Sequence, residues 1–257
     1  MLEKIKPNKN LGQNFLINTY TINTIIDILN ISENDYVIEV GPGTGALTDH
    51  LIKKTKNYIG IEKDLNLCNF LRIKYKNKID IRNDNILKID LNNIYKEKYK
   101  FIGNIPYNIS TKLLMNCIKK RKNFSDIHFM LQKDFADRII SKHGNKIFGR
   151  LSVFIQLFFE TEKFIDIAPF DFYPEPKVYS SFLRLIPIEN ILLDDNEINS
   201  FLNFIHIIFN TRRKKIKNCL NVDCNNLYDN MDKRAEELSI EQMIKLFRNL
   251  KNDRKFI

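Results

Sequence analysis

The chain has 257 residues, 44% of them hydrophobic and 28% charged, which is enough to bury a full core and excludes a disordered protein or a small disulfide-stapled one. The sequence has no apolar stretch of about eighteen residues that would cross a bilayer. The opening MLEKIKPNKN has no apolar signal segment, so we expect a cytoplasmic protein. The net charge is +10, of which residues 1–186 carry +9, and this excess indicates a polyanionic partner.

The cysteines and histidines show no disulfide or metal-ligand pattern. Cys68, Cys117, Cys219 and Cys224 form no CxxC pair, and no histidine stands at a ligand spacing from them. We therefore expect free thiols and no metal site.

The first two thirds of the chain alternate between helical and strand patterns. Ile22, Ile25, Ile26 and Leu29 recur at helical spacing, and the short apolar run at 36–40 follows as a strand. Further strands are predicted at 58–61, 79–81, 101–102 and 127–131, with helices such as 64–75 and 111–118 between them. Strands alternating with helices indicate an α/β fold with a parallel, doubly wound sheet.

The pattern changes near residue 186. The apolar runs 164–167 and 182–186 flank FYPEPKV with no room for a helix between them, so they are predicted as an antiparallel pair at the sheet edge. Beyond them only helices are predicted, at 198–209, 212–220 and 240–250. We expect one domain at 1–186 and a small helical domain at 187–257.

A glycine turn, GPGTGA at 41–46, follows the first strand and opens a helix at Leu47. Glu62 stands 21 residues after Gly41, a placement suited to accepting ribose hydroxyl bonds. The same turn holds the pyrophosphate of dinucleotides, but the carboxylate of Glu39 beside it opposes phosphate and favours a cation. This favours S-adenosylmethionine over a nicotinamide dinucleotide, with Asp84 as acceptor for the adenine amino group. The alternative is that Glu39 and Asp84 are ordinary carboxylates at strand ends.

A second motif, Asn104-Ile105-Pro106-Tyr107, ends the fourth strand of the sheet. Ligands bind at the carboxyl ends of strands in open α/β sheets. If the Asn104 side-chain oxygen and the Ile105 carbonyl accept bonds from an exocyclic adenine amine, the lone pair of that amine is freed for methylation, and Tyr107 stacks on the base. The alternative is a structural Asn-Pro turn.

These residues resemble the ribosomal RNA adenine N6-dimethyltransferases. LGQNFL at 11–16, EVGPGTGALT at 39–48, IEKD at 61–64, ND at 83–84 and GNIPYNIST at 103–111 occur in family order. The resemblance implies a Rossmann-like class I methyltransferase sheet, mostly parallel with an antiparallel edge, and a C-terminal all-helical domain that docks on RNA or the ribosome. It implies S-adenosylmethionine contacts at Asn14, Leu16, Gly41, Glu62, Asp84 and Asn104. It also suggests that Phe172 sandwiches the target base opposite Tyr107, or else is a core aromatic.

Within this superfamily the chain is most similar to the small-subunit enzymes, through HFMLQKDFADRI at 128–139, FGRLSV at 148–153 and FNTRRKKIKN at 209–218. The resemblance implies dimethylation of two adjacent adenines in the 3′-terminal hairpin of small-subunit RNA, by a monomer acting on a pre-assembled subunit. Two alternatives stay open, a large-subunit methylase of the erythromycin-resistance type and a non-catalytic assembly or transcription factor. Candidate RNA contacts are Lys4, Lys6, Lys9, residues 119–122 and residues 212–215.

Overall fold

The computed structural model describes residues 6–220 and 229–252. The chain divides into two compact units: the first comprises residues up to Ala136 and Thr161–Pro187, and the second comprises Asp137–Glu160 and residues from Ile188 onwards. The division at Pro187 lies where the sequence pattern changes. Residues 137–160, however, group with the later helices, although the sequence order assigned them to the first domain.

The first unit is built on a seven-stranded sheet of order β4-β3-β2-β5-β6-β9-β7, with a separate two-stranded ribbon of β1 and β8. The strands are β1 (Phe15–Leu16), β2 (Val37–Val40), β3 (Tyr58–Glu62), β4 (Asp80–Asn83), β5 (Tyr99–Asn104), β6 (Phe124–Gln132), β7 (Phe159–Ile167), β8 (Phe172–Tyr173) and β9 (Ser180–Pro187). The first five strands of the sheet pair in parallel, and β9 runs antiparallel to β6. The predicted fold class, a mostly parallel sheet with an antiparallel edge, is confirmed.

The helices that flank this sheet begin and end close to the predicted positions. They are α1 (Thr19–Leu29), α2 (Thr48–Lys54), of which only the start was predicted, α3 (Leu65–Lys74) and α4 (Ser110–Lys119). A further helix, α5 (Lys133–Ile140), was not predicted and runs from the first unit into the second. In α1 the Asn18 side chain accepts bonds from the Tyr20 and Thr21 amides and so caps the first turn. The apolar face predicted from the helical spacing is buried in the core.

The second unit contains α6 (Arg150–Gln156), α7 (Asp195–Asn210), α8 (Ile216–Leu220) and α9 (Ile240–Asn252). Its core includes the rings of Phe201, Phe204 and Phe247, with centroids 5.5–6.2 Å apart. The segment 137–160 joins these helices because Arg212 donates to the Lys146 and Phe148 carbonyls at 2.8 and 2.7 Å. Such long-range bonds leave no periodic pattern in the sequence.

No helix within the described ranges is both long enough and apolar enough to span a bilayer.

Candidate active site

The glycine turn lies at the carboxyl end of β2, where Gly41, Gly43 and Gly45 all have positive φ angles, 64°, 62° and 89°. Only glycine adopts this conformation without strain. At Gly43 there is a second reason, because an added Cβ would lie 3.1 Å from the Phe15 ring. The turn therefore presents bare backbone to whatever lies beside it.

A cavity lies over this turn and over the ends of β2, β3 and β5. The space between its walls, including the open mouth, is about 1260 Å³. All but one of the predicted site residues line it: Asn14, Leu16, Gly41, Glu62, Asp84, Asn104, Ile105, Pro106 and Tyr107. The sheet topology thus brings together residues that are as many as 93 positions apart in the chain.

Glu62 is held at the end of β3 by backbone amides. Its Oε2 accepts from the Gly43 amide at 3.1 Å and its Oε1 from the Asp64 amide at 2.9 Å. Burial raises the pKa of this carboxyl, while these amide bonds oppose the shift. Each carboxylate oxygen can accept a second bond, so the pair is oriented in advance for a vicinal diol.

Asn104 ends β5, and its side-chain amide has a fixed orientation. Its Nδ2 donates to the Asn14 carbonyl at 2.8 Å. Among the described residues no donor bonds to its Oδ1, so this oxygen is the group presented to a ligand. Next to it, Ile105 is fully buried and its amide donates to the Met130 carbonyl at 3.1 Å. The first half of the motif is therefore rigid.

Tyr107 is half-buried at the cavity wall. Its hydroxyl lies 3.0 Å from the Ser180 Oγ on β9, and burial raises its pKa above the ordinary value for tyrosine. The bond holds the hydroxyl end of the ring against β9. On the other side, Asp84 is exposed at the end of β4, with its amide bonded to the Glu62 carbonyl at 3.0 Å.

Phe172 is the predicted site residue that does not line the cavity. Its side chain is 2% exposed and packs in the core cluster with Leu16 and Ile167. Of the two possibilities considered for Phe172, a ring against the target base or a core aromatic, the structure places it as a core aromatic at the start of β8. Its neighbour Tyr173, by contrast, is exposed.

The interpretation of Glu39 as a carboxylate facing the ligand is wrong. Glu39 is 3% exposed and does not line the cavity. Its Oε2 accepts from the Thr48 hydroxyl at 2.6 Å and from the Tyr58 hydroxyl at 2.5 Å, and burial raises its pKa to about 7. The residue stabilises the fold behind the turn and does not line the cavity that would hold a ligand.

The sequence reasoning missed the role of Gln13. Its Nε2 donates to the Asp64 carboxylate at 3.0 Å, and its Oε1 accepts from the Asn8 amide at 2.7 Å. Together with the bond between Asn104 and Asn14, this ties the N-terminal segment across the cavity. The LGQNFL motif was the available signal, but a single sequence gives no reason to pair Gln13 with Asp64.

The predicted RNA-contacting residues are only partly described. Lys4 lies outside the described residues, as does Cys224, and so does the side chain of Lys9. Lys6, Arg213 and Lys214 are exposed. Lys120 pairs with Asp90 at 3.3 Å and Lys215 with Asp232 at 3.2 Å, so these two cations are partly neutralised.

The fold and the site together define a Rossmann-like class I methyltransferase. A crystal structure of a dimethyladenosine transferase from Plasmodium falciparum is similar, with a TM-score of 0.82 and 25% identity over 93% of this chain and 98% of that one. The structure of the 23S rRNA methyltransferase ErmE shares the fold, with a TM-score of 0.71 and 23% identity over 93% of this chain and 100% of that one.

Sequence comparisons identify the family. Residues 4–252 match the sequence model of the family described as Ribosomal RNA adenine dimethylase. Two proteins named Ribosomal RNA small subunit methyltransferase A are similar to this chain. The protein of Sulfurihydrogenibium sp. is 37% identical, and the alignment covers 98% of this chain and 99% of the relative. The protein of Wigglesworthia glossinidia brevipalpis is 39% identical, and the alignment covers 95% of this chain and 98% of the relative. This chain belongs to the ribosomal RNA adenine dimethylase family. The resemblance, the enzyme class and S-adenosylmethionine as cofactor are thereby confirmed.

Proposed function

We propose that this protein dimethylates N6 of two adjacent adenines in the 3′-terminal hairpin of small-subunit ribosomal RNA, using S-adenosylmethionine. The substrate is RNA within a pre-assembled small subunit, and the enzyme acts as a monomer in the cytoplasm during subunit biogenesis. The observation that carries the proposal is the fixed amide of Asn104, whose Nδ2 is held by the Asn14 carbonyl at 2.8 Å. The small-subunit relatives support the choice of RNA.

The residues of the cavity fit S-adenosylmethionine. When bound, it supplies a methyl group on a sulfonium, a leaving group that needs no further activation. Glu62 offers two oriented acceptors to the ribose hydroxyls, and exposed Asp84 offers an acceptor to the adenine amine. The bare backbone at Gly41 and the side chains of Asn14 and Leu16 complete the binding surface.

Asn104 and Ile105 activate the substrate amine. The exocyclic nitrogen of adenine is a weak nucleophile because its lone pair is delocalised into the ring. The Asn104 Oδ1 and the Ile105 carbonyl accept its two N–H bonds, which draws the nitrogen toward a tetrahedral geometry and frees the lone pair. These bonds strengthen as the nitrogen becomes positive, so they stabilise the transition state more than the ground state.

Tyr107 positions the base. A target adenine must leave its helical stack to enter the cavity, and the Tyr107 ring, held through its hydroxyl by Ser180, provides a replacement stacking surface. No general base is required, because the proton on the methylated amine becomes acidic once the nitrogen carries a positive charge and is then lost to water. Positioning therefore supplies most of the rate.

The test is mass spectrometry of ribosomal RNA after incubation of unmethylated small subunits with the protein and isotope-labelled S-adenosylmethionine. The proposal expects two adjacent N6,N6-dimethyladenosines near the 3′ end of the small-subunit RNA. Unmethylated large subunits are incubated in the same way as a control. If the label appears only in large-subunit RNA, the result favours an activity of the erythromycin-resistance type. RNA binding without any transfer of label would indicate a non-catalytic factor.

A further inference from the structure

The two-stranded ribbon of β1 and β8 has one buried and one exposed face. Phe15 lies directly opposite Tyr173, and Leu16 opposite Phe172. Residues that face each other across antiparallel strands project to the same side, and successive residues alternate. Leu16 and Phe172 are buried in the core. Phe15 and Tyr173 therefore share the other face.

The ribbon borders the cavity through both residues of β1, because Phe15 and Leu16 both line it. The Phe15 side chain lines the cavity and packs over the glycine turn, 3.1 Å from the position of a Cβ at Gly43. Directly opposed residues have Cβ atoms about 4.5–5.5 Å apart, so Tyr173 stands beside Phe15 at the rim. Tyr173 is nevertheless 58% exposed. It presents a ring at the mouth of the site, and among the described residues this ring has no hydrogen-bond partner and no aromatic partner.

The backbone that carries Tyr173 is firmly held. The carbonyl of the nearby Asp171 accepts from the Ile17 amide at 2.8 Å, and its carboxylate accepts from the Asn18 amide side chain at 2.6 Å and from the Thr21 hydroxyl at 3.0 Å. The exposed ring is thus anchored two residues from a buried network. A ring carried by a firmly held backbone loses little conformational freedom when it makes a contact.

We propose that Tyr173 stacks on an unpaired nucleotide of the RNA next to the target adenine, outside the cavity. The proposal rests on the function proposed above. When the target base is extruded toward Asn104, its neighbour loses a stacking partner, and a ring at the rim replaces it. Any base can stack on a tyrosine, so Tyr173 contributes RNA affinity without selecting sequence. The role is that of a positioning residue and adds to that of Tyr107.

The test compares four variants on unmethylated small subunits: Tyr173→Ala, Tyr173→Leu, Tyr173→Phe and Tyr20→Ala. Tyr20 is a matched control, since it is 80% exposed nearby but does not pair with a cavity residue. Removal of one stacking ring is expected to raise KM for the subunits by about tenfold in the Ala and Leu variants. The Phe variant keeps the ring and is expected to have the wild-type KM. All four variants should keep kcat within about twofold, wild-type S-adenosylmethionine affinity and the wild-type melting temperature.

The outcomes separate this inference from the proposed function. An unchanged KM for Tyr173→Ala, with wild-type protein active on the same subunits, would overturn the stacking role and leave the function intact. Equal increases for Tyr20→Ala and Tyr173→Ala would also overturn it, because they would indicate a broad docking surface. If wild-type protein does not methylate small subunits at all, the function fails and this inference fails with it.

Discussion

Glu39 and Glu62 are buried glutamates on neighbouring parallel strands, yet they lie on different sides of the glycine turn. Glu62 lines the cavity, and backbone amides hold it with acceptor capacity to spare. Glu39 faces away from the cavity, and two hydroxyl side chains, from Thr48 and Tyr58, satisfy its Oε2. On the cavity side the polar groups are oriented toward a ligand. On the core side they form hydrogen bonds with other side chains of the core. Substitutions on the two sides should therefore be separable by experiment.

The largest expected effect is on the core side. Burial raises the pKa of Glu39 from 4.5 to about 7, so between these values the folded protein binds more protons than the unfolded chain. Stability from this group is fully present below about pH 4.5 and falls by about 3 kcal/mol as the pH rises to 7. Glu39→Gln has no such titration. Urea unfolding at pH 5 and pH 8 should show the variant gaining stability relative to wild type with rising pH.

The prediction is contradicted if Glu39→Gln and wild type differ in their free energy of unfolding by the same amount at both pH values. The carboxyl would then titrate normally, and it would not be enclosed behind the turn. The charges of Glu62 and Asp49 add to the shift, so their repulsion of Glu39 is part of the pH-dependent difference between the two proteins.

The largest effect on the cavity side belongs to Asn104. Its Oδ1 bonds most strongly to the amine in the transition state, so Asn104→Ala should lower single-turnover methylation by about a hundredfold or more. RNA affinity should change little, and the free energy of unfolding should fall by about 1 kcal/mol through the lost bond to Asn14. Asn69→Ala, which removes an exposed Asn on α3, is the control. If the Asn104→Ala protein methylates at the wild-type rate, Asn104-Ile105-Pro106-Tyr107 is only a structural turn.

Glu62 should show the intermediate effect. Loss of two charge-assisted acceptors in Glu62→Ala is expected to weaken S-adenosylmethionine binding by about tenfold or more. Glu62→Gln keeps the shape and one acceptor oxygen and should weaken binding less. Calorimetric titration with S-adenosylmethionine measures both. Equal affinities in wild type and both variants would remove Glu62 from the cofactor site.

The fold was predictable because its signals are local and repetitive. Short apolar runs separated by helical spacing give the sheet, and β9 and β7 stand where FYPEPKV leaves no room for a helix. The direction of Glu39 was not predictable, because all four residues of β2 are buried and a strand covered on both faces shows no alternation. The grouping of residues 137–160 with the second unit depends on contacts such as that of Arg212, which a single sequence does not reveal.

The site was predictable where a motif carries a backbone requirement or a chemical role. The glycines and Asn104 are of this kind, and they line one cavity. Phe172 and Tyr173 show what could not be predicted from the sequence. Both are aromatic and adjacent, and only the pairing with β1 shows that Phe172 packs inward while Tyr173 stands exposed.

The smallest expected effect tests whether the core side acts on the cavity through the turn. Beyond Gly45, the Lys74 ammonium donates to the Thr44 carbonyl at 3.1 Å and to the Asp49 carboxylate at 2.7 Å, and the Tyr75 hydroxyl donates to Asp49 at 2.8 Å. Tyr75→Phe removes one of these bonds and keeps the ring. A bond to a charged group is worth about 1.5–3 kcal/mol net. Because the ion pair between Lys74 and Asp49 remains, only part of that free energy should reach the turn, and S-adenosylmethionine affinity should fall only about two- to fivefold.

Turnover of Tyr75→Phe at saturating S-adenosylmethionine should equal that of wild type, since no atom of Tyr75 touches the reacting groups. A merely structural role would lower the melting temperature without this separation of affinity from kcat. Tyr95→Phe is the matched control, because Tyr95 packs its ring edge-on against Tyr36 at 4.8 Å and does not line the cavity. If the Tyr75 and Tyr95 variants bind S-adenosylmethionine equally well, the turn keeps its shape without α3, and the two sides of the turn are independent.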